Sequence, residues 1–310
     1  MESSRSSYRC VFIVLFMASL LGCHSGASPQ SPPSIAALTA ACEEGKYVSC
    51  FSLGTKYMSG TGGATKDEAL AVKFYQRACD NGNVQGCSGL GFMYETGSGV
   101  PQDITRAVTL YQRGCDGGDG LGCTSLGGLY ETGKRIAKDE SKAAPLYERA
   151  CNAGSPLGCR ELGRVYGNGV GVTKDDARAA KLYQQACDSG DAKSCSMLGT
   201  SYETGRGVAK DNANAVALYQ RACDGGYFLG CTILGSSYAT GDSVTRDLGR
   251  AAQIYQQGCD GGEPASCSGL ALLYKTGLGV NKDSARARTL YQKACALGEK
   301  KSCDDAAQLQ

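Results

Sequence analysis

The chain has 310 residues, and its 32 lysines and arginines nearly balance its 30 aspartates and glutamates. With so little net charge and no long run of one sign, nucleic acids and anionic surfaces are poor candidates as partners. Eighteen cysteines would be a hazard in a reducing cytosol, so they indicate an exported protein held together by disulfides.

The first 34 residues have the features of an export signal followed by a tether. Arg5 and Arg9 flank the start of an apolar run at residues 10–21, which is too short to span a bilayer and is typical of a signal peptide. The run ends in Leu-Leu-Gly-Cys at residues 20–23, which resembles the lipobox of bacterial lipoproteins and implies lipidation of Cys23. We therefore predict a signal peptide at 1–22 and a lipidated, Ser/Pro-rich tether at 23–34.

The alternative is a simple secretory signal followed by an incidental cysteine. The residues after Cys23 lack the aspartate associated with inner-membrane retention in similar lipoproteins. The lipobox resemblance therefore implies a bacterial cell-envelope protein, an outer-membrane lipoprotein that faces the periplasm or the cell surface.

Apart from Cys10 and Cys23, the cysteines form eight pairs, each separated by seven residues. The step between first members is 37 residues once and 36 residues thereafter. A period of this size is typical of a solenoid of stacked helix pairs, so we predict one elongated all-α domain at 35–310. The pairs are Cys42/Cys50, Cys79/Cys87, Cys115/Cys123, Cys151/Cys159, Cys187/Cys195, Cys223/Cys231, Cys259/Cys267 and Cys295/Cys303.

One period shows two amphipathic helices, here called A and B. In residues 87–115, Leu90 and Tyr94 share a face of helix A, and Gly91 beside them leaves room for a neighbouring helix. A Gly-rich stretch ends helix A, and Asp103 is placed to cap helix B, whose apolar stripe includes Tyr111. The same residue types return in every period, so we interpret them as stacking residues.

Pro145 lies inside the third helix B, where it removes a backbone donor. It is therefore predicted to kink or shorten that helix.

Two disulfide connectivities are compatible with antiparallel helices. One joins the end of each helix B to the start of the next helix A across seven residues, and the other joins the start of helix A to the end of its own helix B. The second leaves Cys42 and Cys303 as thiols in an oxidising compartment, whereas the first leaves none.

The repeated pattern C-xx-LG-xx-Y, G-x-G-V-xx-D and LYQ-x-AC-D-x-G resembles the Sel-1-like repeat, a relative of the tetratricopeptide repeat. The paired cysteines narrow the resemblance to the Helicobacter cysteine-rich protein type. The match runs from Cys42 to Cys303, with seven complete units and partial units at both ends. The resemblance implies a right-handed α/α superhelical solenoid with disulfides across the seven-residue gaps. Some family members are described as binding penicillin or hydrolysing β-lactams, whereas the wider class acts as scaffold and adaptor.

The residues favour a binding protein over an enzyme, although the many aspartates and glutamates leave a carboxylate-based catalytic site open. No Ser-x-x-Lys spacing occurs, although serine β-lactamase chemistry commonly needs one. The only histidine, His24, lies in the tether, which removes His-based nucleophile activation and His-based zinc sites. We predict no catalytic residue, metal or cofactor.

A binding surface is expected on the concave side of the solenoid, by analogy with tetratricopeptide repeats. The analogy selects the helix A positions two before and two after the repeated leucine, and those that follow the tyrosine. Arg160 and Arg164 lie one helical turn apart among these, where they are candidates to bind a carboxylate of a peptide terminus or a cell-wall fragment. The other candidate groove residues are Phe51, Phe92, Glu95, Glu131 and Glu203.

The sequence thus predicts a lipid-anchored envelope scaffold that binds a protein or peptide through its concave face. The alternative is a β-lactamase-like protein, or one that binds penicillin or a peptidoglycan fragment.

Overall fold

The computed structural model describes residues 33–309, which form sixteen α-helices and no strand. The predicted signal peptide, Cys23 and His24 lie outside the described residues. Even-numbered helices α2 to α14 are the A helices and odd-numbered helices α3 to α15 are the B helices, so units 1 to 7 are the pairs α2/α3 to α14/α15. The helices are α1 Ile35–Glu43, α2 Tyr47–Ser59, α3 Glu68–Asp80, α4 Val84–Thr96, α5 Ile104–Asp116, α6 Gly120–Thr132, α7 Glu140–Asn152, α8 Pro156–Asn168, α9 Asp176–Asp188, α10 Ala192–Thr204, α11 Asn212–Asp224, α12 Phe228–Thr240, α13 Leu248–Asp260, α14 Pro264–Thr276, α15 Ser284–Ala296 and α16 Lys300–Ala307.

Consecutive helices pack against each other along the chain, which confirms the predicted all-α solenoid of disulfide-bridged helix pairs. The fragment α1 precedes unit 1 as a partial helix B, and α16 follows unit 7 as a shortened helix A. None of the helices within 33–309 has the length and apolar character needed to cross a membrane.

Eight disulfides join each helix B, or α1, to the next helix A, which is the first of the two connectivities considered above. The bridged Cα atoms lie 4.4 Å apart in the Cys151–Cys159 pair and 4.9 Å apart in Cys42–Cys50. Each bridge spans a short turn that also has backbone hydrogen bonds, such as Ser155 N–H to the Ala150 carbonyl at 3.0 Å. The disulfides therefore hold neighbouring units together. The other six bridges are Cys79–Cys87, Cys115–Cys123, Cys187–Cys195, Cys223–Cys231, Cys259–Cys267 and Cys295–Cys303.

Aspartate caps start six of the seven B helices. In α5, the Asp103 carboxylate accepts the Arg106 N–H at 2.9 Å, which satisfies a backbone donor that the helix itself leaves unpaired. In α7 the Asp139 carboxylate instead accepts the Ser141 hydroxyl at 2.6 Å, and it makes no cap bond. The six capping residues are Asp67, Asp103, Asp175, Asp211, Asp247 and Asp283.

Pro145 does not shorten its helix. Helix α7 runs over 13 residues around the proline, the same length as the other B helices, so the prediction of a shortened helix is wrong. Packing explains the difference, because Ala143, Ala144 and Leu146 on either side of Pro145 are all buried. Burial of a helix face outweighs a local loss of helix propensity.

A glycine on each of the first six A helices lets the B-helix tyrosine of the same unit come close. A Cβ atom at Gly91 would lie 2.9 Å from Cδ1 of Tyr111, closer than real Cβ contacts come. Gly163 has the same relation to Tyr183, at 2.7 Å from Cε1. The buried tyrosines and leucines thus form a series of core clusters between the A and B layers, as the stacking interpretation predicts.

Candidate functional site

The A helices form the tighter layer of the solenoid. Most successive A helices touch directly, as where the Thr232 and Ser266 hydroxyls lie 2.6 Å apart. Successive B helices are farther apart and are joined mainly by long side chains, such as Arg113, whose guanidinium donates to the Cys79 carbonyl at 2.8 Å. The A helices are thus the layer to which the tetratricopeptide analogy assigns the concave side.

Each A helix presents one exposed stripe, made by its second, sixth, ninth and thirteenth residues. We call this surface the A-helix stripe. In α4 it consists of Gln85, Gly89, Phe92 and Thr96, which are exposed or half-buried. The threonine at the end of the stripe donates its hydroxyl to a carbonyl of its own helix, as Thr96 Oγ1 does to the Phe92 carbonyl at 2.9 Å. The stripe therefore combines single large apolar side chains with small and hydroxyl residues, and in α8 it carries the charged residues Glu161 and Arg164.

The residues two positions after the repeated leucine belong to the stripe. Phe92 and Leu272 are 43% and 51% exposed, and Arg164 is half-buried. The positions two before the leucine do not line the surface where they carry Ser88, Thr124 and Ser196, which are buried, so that part of the prediction is wrong. The close approach of successive A helices covers them.

Phe51, which lies two positions before the repeated leucine of α2, is half-buried. Its ring packs 5.9 Å from the ring of Tyr75. Phe51 is thus directed towards the core of unit 1.

The three glutamates tie the A and B helices of their own units together. Tyr111, Tyr147 and Tyr219 donate their hydroxyls to carboxylates at 2.7, 2.8 and 2.9 Å. Burial, and then the neighbouring carboxylate, raise the pKa of Tyr111 and Tyr147 well above the usual range. The primary role that these contacts support is structural. The accepting residues are, in the same order, Glu95, Glu131 and Glu203.

Arg160 and Arg164 take part in a charge network that spans three units. Arg160 Nη1 binds the Asp191 carboxylate at 2.6 Å, and Arg164 Nε binds the Glu161 carboxylate at 2.7 Å. Arg164 also reaches back to Glu131, and Arg160 Nε lies 3.3 Å from Glu161. The five side chains are between 14% and 29% exposed, so they are poorly screened by water.

This network limits what the two arginines do. Burial alone would lower the pKa of Arg164, but its bonds to Glu131 and Glu161 raise it, so the guanidinium stays charged. Three carboxylates face two guanidinium groups, and a carboxylate of a partner would have to displace one of them. The arginine pair therefore lacks the unpaired positive charge that the carboxylate-binding interpretation needs.

Sequence reasoning missed the second position of the A helices. Val48, Leu121 and Leu229 are exposed there at 64%, 51% and 40%. They lie seven residues before the ninth position, so they are on the same helical face as Phe92 and its equivalents. The seven-residue spacing between these positions could have indicated from the sequence that they belong to the stripe.

Residues 33–309 present side chains suited to binding. All cysteines between residues 33 and 309 are disulfide-bonded, and that part of the chain holds no cluster of three or more metal-ligating side chains. Exposed apolar side chains on one face are the kind of group from which the centres of protein interfaces are built.

The sequence matches the Sel1 repeat at residues 48–83, 84–119, 121–155, 156–191, 192–227, 229–263 and 264–299. No curated protein matches the chain. Among solved structures, a protective antigen of uropathogenic Escherichia coli with an SLR fold is 28% identical, with a TM-score of 0.72 over 90% of this chain; the chain spans 59% of that protein. A Sel1 repeat protein from Oxalobacter formigenes is 26% identical, with a TM-score of 0.70, and covers 89% of this chain and 80% of its own length. Helicobacter pylori cysteine rich protein B is 32% identical over 43% of this chain and 96% of its own length, with a TM-score of 0.37.

Proposed function

Since this chain belongs to the Sel1 repeat family, we propose that it is a lipid-anchored scaffold of the bacterial cell envelope. Its A-helix stripe binds a protein or peptide partner. Repeats of this class generally mediate protein–protein interaction, because a stack of helix pairs offers an extended surface whose exposed residues vary while its core repeats.

The observation that carries the proposal is the distribution of exposed apolar side chains. Of the large apolar residues exposed within 33–309, five lie on the A-helix stripe and none lies within a B helix. The outer face of α5 is instead polar, with Thr105, Thr109 and Gln112. Apolar side chains gathered on one face mark an interaction surface, whereas scattered ones need no explanation. The five residues are Val48, Phe92, Leu121, Leu229 and Leu272.

A matched pair of triple variants tests this assignment. Phe92→Ala/Leu121→Ala/Leu272→Ala removes three stripe side chains, and Thr109→Ala/Gln185→Ala/Thr289→Ala removes three exposed side chains from B helices. All six sites are exposed, so both variants should keep the melting temperature of the native protein. The capture of envelope proteins should fall at least about tenfold with the stripe variant only, because central apolar side chains contribute most to binding.

Equal capture by both variants would refute the proposal. A nitrocefin assay on the same preparations adds a second readout. Turnover that survives purification would instead favour the β-lactamase-like alternative.

The lipid anchor is proposed from the sequence at residues 20–23. Mass spectrometry of the detergent-extracted protein should show a mature N-terminus at Cys23 that carries a diacylglyceryl group. The variant Cys23→Ser should remain in the aqueous phase after detergent partition. An unmodified N-terminus downstream of residue 23 would refute the anchor.

A further inference from the structure

Unit 4 departs from the tyrosine–glutamate pattern of its neighbours. In units 2, 3 and 5, the residue after the A-helix tyrosine is a glutamate that accepts the B-helix tyrosine hydroxyl. Unit 4 has Gly167 at this position, and the Tyr183 hydroxyl has no hydrogen-bond partner among residues 33–309.

Units 1, 6 and 7 also lack the glutamate. In unit 1, Tyr75 donates to Thr55 Oγ1 at 3.2 Å. These three units have Met58, Ala239 and Lys275 after the A-helix tyrosine, so among the units of residues 33–309 only unit 4 has no side chain at that position.

Packing does not require a glycine at 167. A Cβ atom there would lie 3.5 Å from the Ala179 Cβ and 3.7 Å from the Tyr183 hydroxyl, which are ordinary contacts. Gly167 does not have a positive φ angle either. Glycine lowers helix stability relative to other residues, so its presence has a cost without a packing reason. A side chain at 167 would point towards Tyr183.

The missing side chain leaves a cavity of about 190 Å³ between α8, α9 and α10. Tyr183, Arg206 and Asp176 line it, together with hydroxyl residues of α10. Those hydroxyls donate to their own helix, as Ser201 Oγ does to the Met197 carbonyl at 3.2 Å. Tyr183, Arg206 and the side-chain amide of Asn168 are therefore the donors that remain for a ligand.

The charges around the cavity allow an anion to enter. The Asp176 carboxylate is bound by Arg206 at 3.0 Å and by Lys174 at 2.9 Å, so two cations compensate its charge. Arg206 also donates to the Gly167 carbonyl at 3.4 Å. Its side chain is 53% exposed, and a guanidinium has five N–H donors, so it can bind a further acceptor.

We propose that this cavity binds an aliphatic carboxylate supplied by the partner, in the place where units 2, 3 and 5 hold their own glutamate. Tyr183 donates its hydroxyl to that carboxylate, and Arg206 donates an N–H group from the cavity wall. The source is an acidic side chain of the partner or the carboxyl terminus of its chain. This inference rests on the proposed function and names one chemical group of the partner.

Propionate is the natural probe, because it contains the same atoms as a glutamate side chain beyond Cα. In an NMR titration at constant ionic strength, it should shift the Gly167, Thr200 and Thr204 amides and saturate on the order of 1–10 mM. Propionamide, the neutral isostere, should cause no saturable shift. N-acetylglycinate mimics a chain terminus, and the tighter of the two carboxylates identifies the source.

The decisive variant is Gly167→Glu, which supplies the carboxylate from the chain itself. It should abolish propionate binding, whereas Ala239→Glu, at the equivalent position of unit 6, should leave it unchanged. Gly167→Glu should also melt at a higher temperature than Gly167→Gln, and Tyr183→Phe should remove most of that difference.

The proposal is overturned if neither carboxylate gives a saturable shift, or if Gly167→Glu binds propionate as well as the native protein does. Neither result affects the capture assay with the Phe92, Leu121 and Leu272 variant, since those residues do not line the cavity. Failure of the carboxylate site and failure of the A-helix stripe are therefore distinguishable.

Discussion

Replacing Gly99 by alanine should destabilise the protein more than replacing Gly118, although the two glycines flank the same helix, α5. Both have a left-handed backbone, with φ of +69° at Gly99 and +90° at Gly118. Alanine in that region costs about 1–2 kcal/mol at either site. The two sites differ only in their surroundings.

A Cβ atom at Gly99 would lie 2.5 Å from the carbonyl carbon and oxygen of Glu68, at the start of α3, whereas nothing lies within 4 Å at Gly118. The A–B loop of unit 2 would therefore have to move away from unit 1. Such overpacking typically costs about 1–3 kcal/mol, so we expect a total loss of about 2–5 kcal/mol for Gly99→Ala and about 1–2 kcal/mol for Gly118→Ala.

Urea unfolding followed by far-UV circular dichroism measures both losses on the same scale. Equal losses, or a larger loss for Gly118→Ala, would refute the close packing of this loop against the preceding unit.

Three further predictions concern the disulfides, the charge network and the tyrosines. Dithiothreitol under native conditions should open Cys295–Cys303 first, because Cys303 is exposed while the other seven bridges are buried. Alkylation and mass spectrometry would show the order of opening, and earlier opening of a buried bridge would contradict the prediction. Glu131→Gln should lower the free energy of unfolding by about 1–3 kcal/mol, and by more than Glu95→Gln, because only Glu131 also binds Arg164; similar losses would count against the network. Burial raises the pKa of Tyr183 to about 12, above the value near 10 of an unfolded chain, so the unfolded state releases protons first and stability should fall as the pH rises above about 10. Urea unfolding between about pH 9 and 11 should show a shallower decline for Tyr183→Phe, and an unchanged slope would contradict the assignment.

Much of the fold can be predicted from residue spacing. The cysteine period gives the number of units, and the aspartate before each helix B marks where the helix starts, because both signals are local. Pro145 was misjudged because burial on both sides of it is a tertiary effect that local propensity does not contain.

The surface was harder to predict. Periodicity fixes which residues share a helical face, but the rotation of each A helix depends on how closely successive A helices pack, and this packing buries Ser88 and Ser196. Glu131 and Arg164, which bind each other, are 33 residues apart in the sequence, and no local pattern links them. The glycine that replaces the glutamate in unit 4 can be read from the sequence, but the cavity opposite Tyr183 depends on how α8, α9 and α10 pack.

The central claim is that the A-helix stripe, and not the outer face, contacts the partner. Photo-crosslinking in cells tests it most directly, with a photoreactive phenylalanine analogue placed at Phe92 or Leu272 and, as controls, at Thr109 or Thr289 on the B helices. We predict one shared protein adduct from the two stripe positions and none from the controls. The same adduct from the control positions, or adducts from the controls alone, would contradict the account.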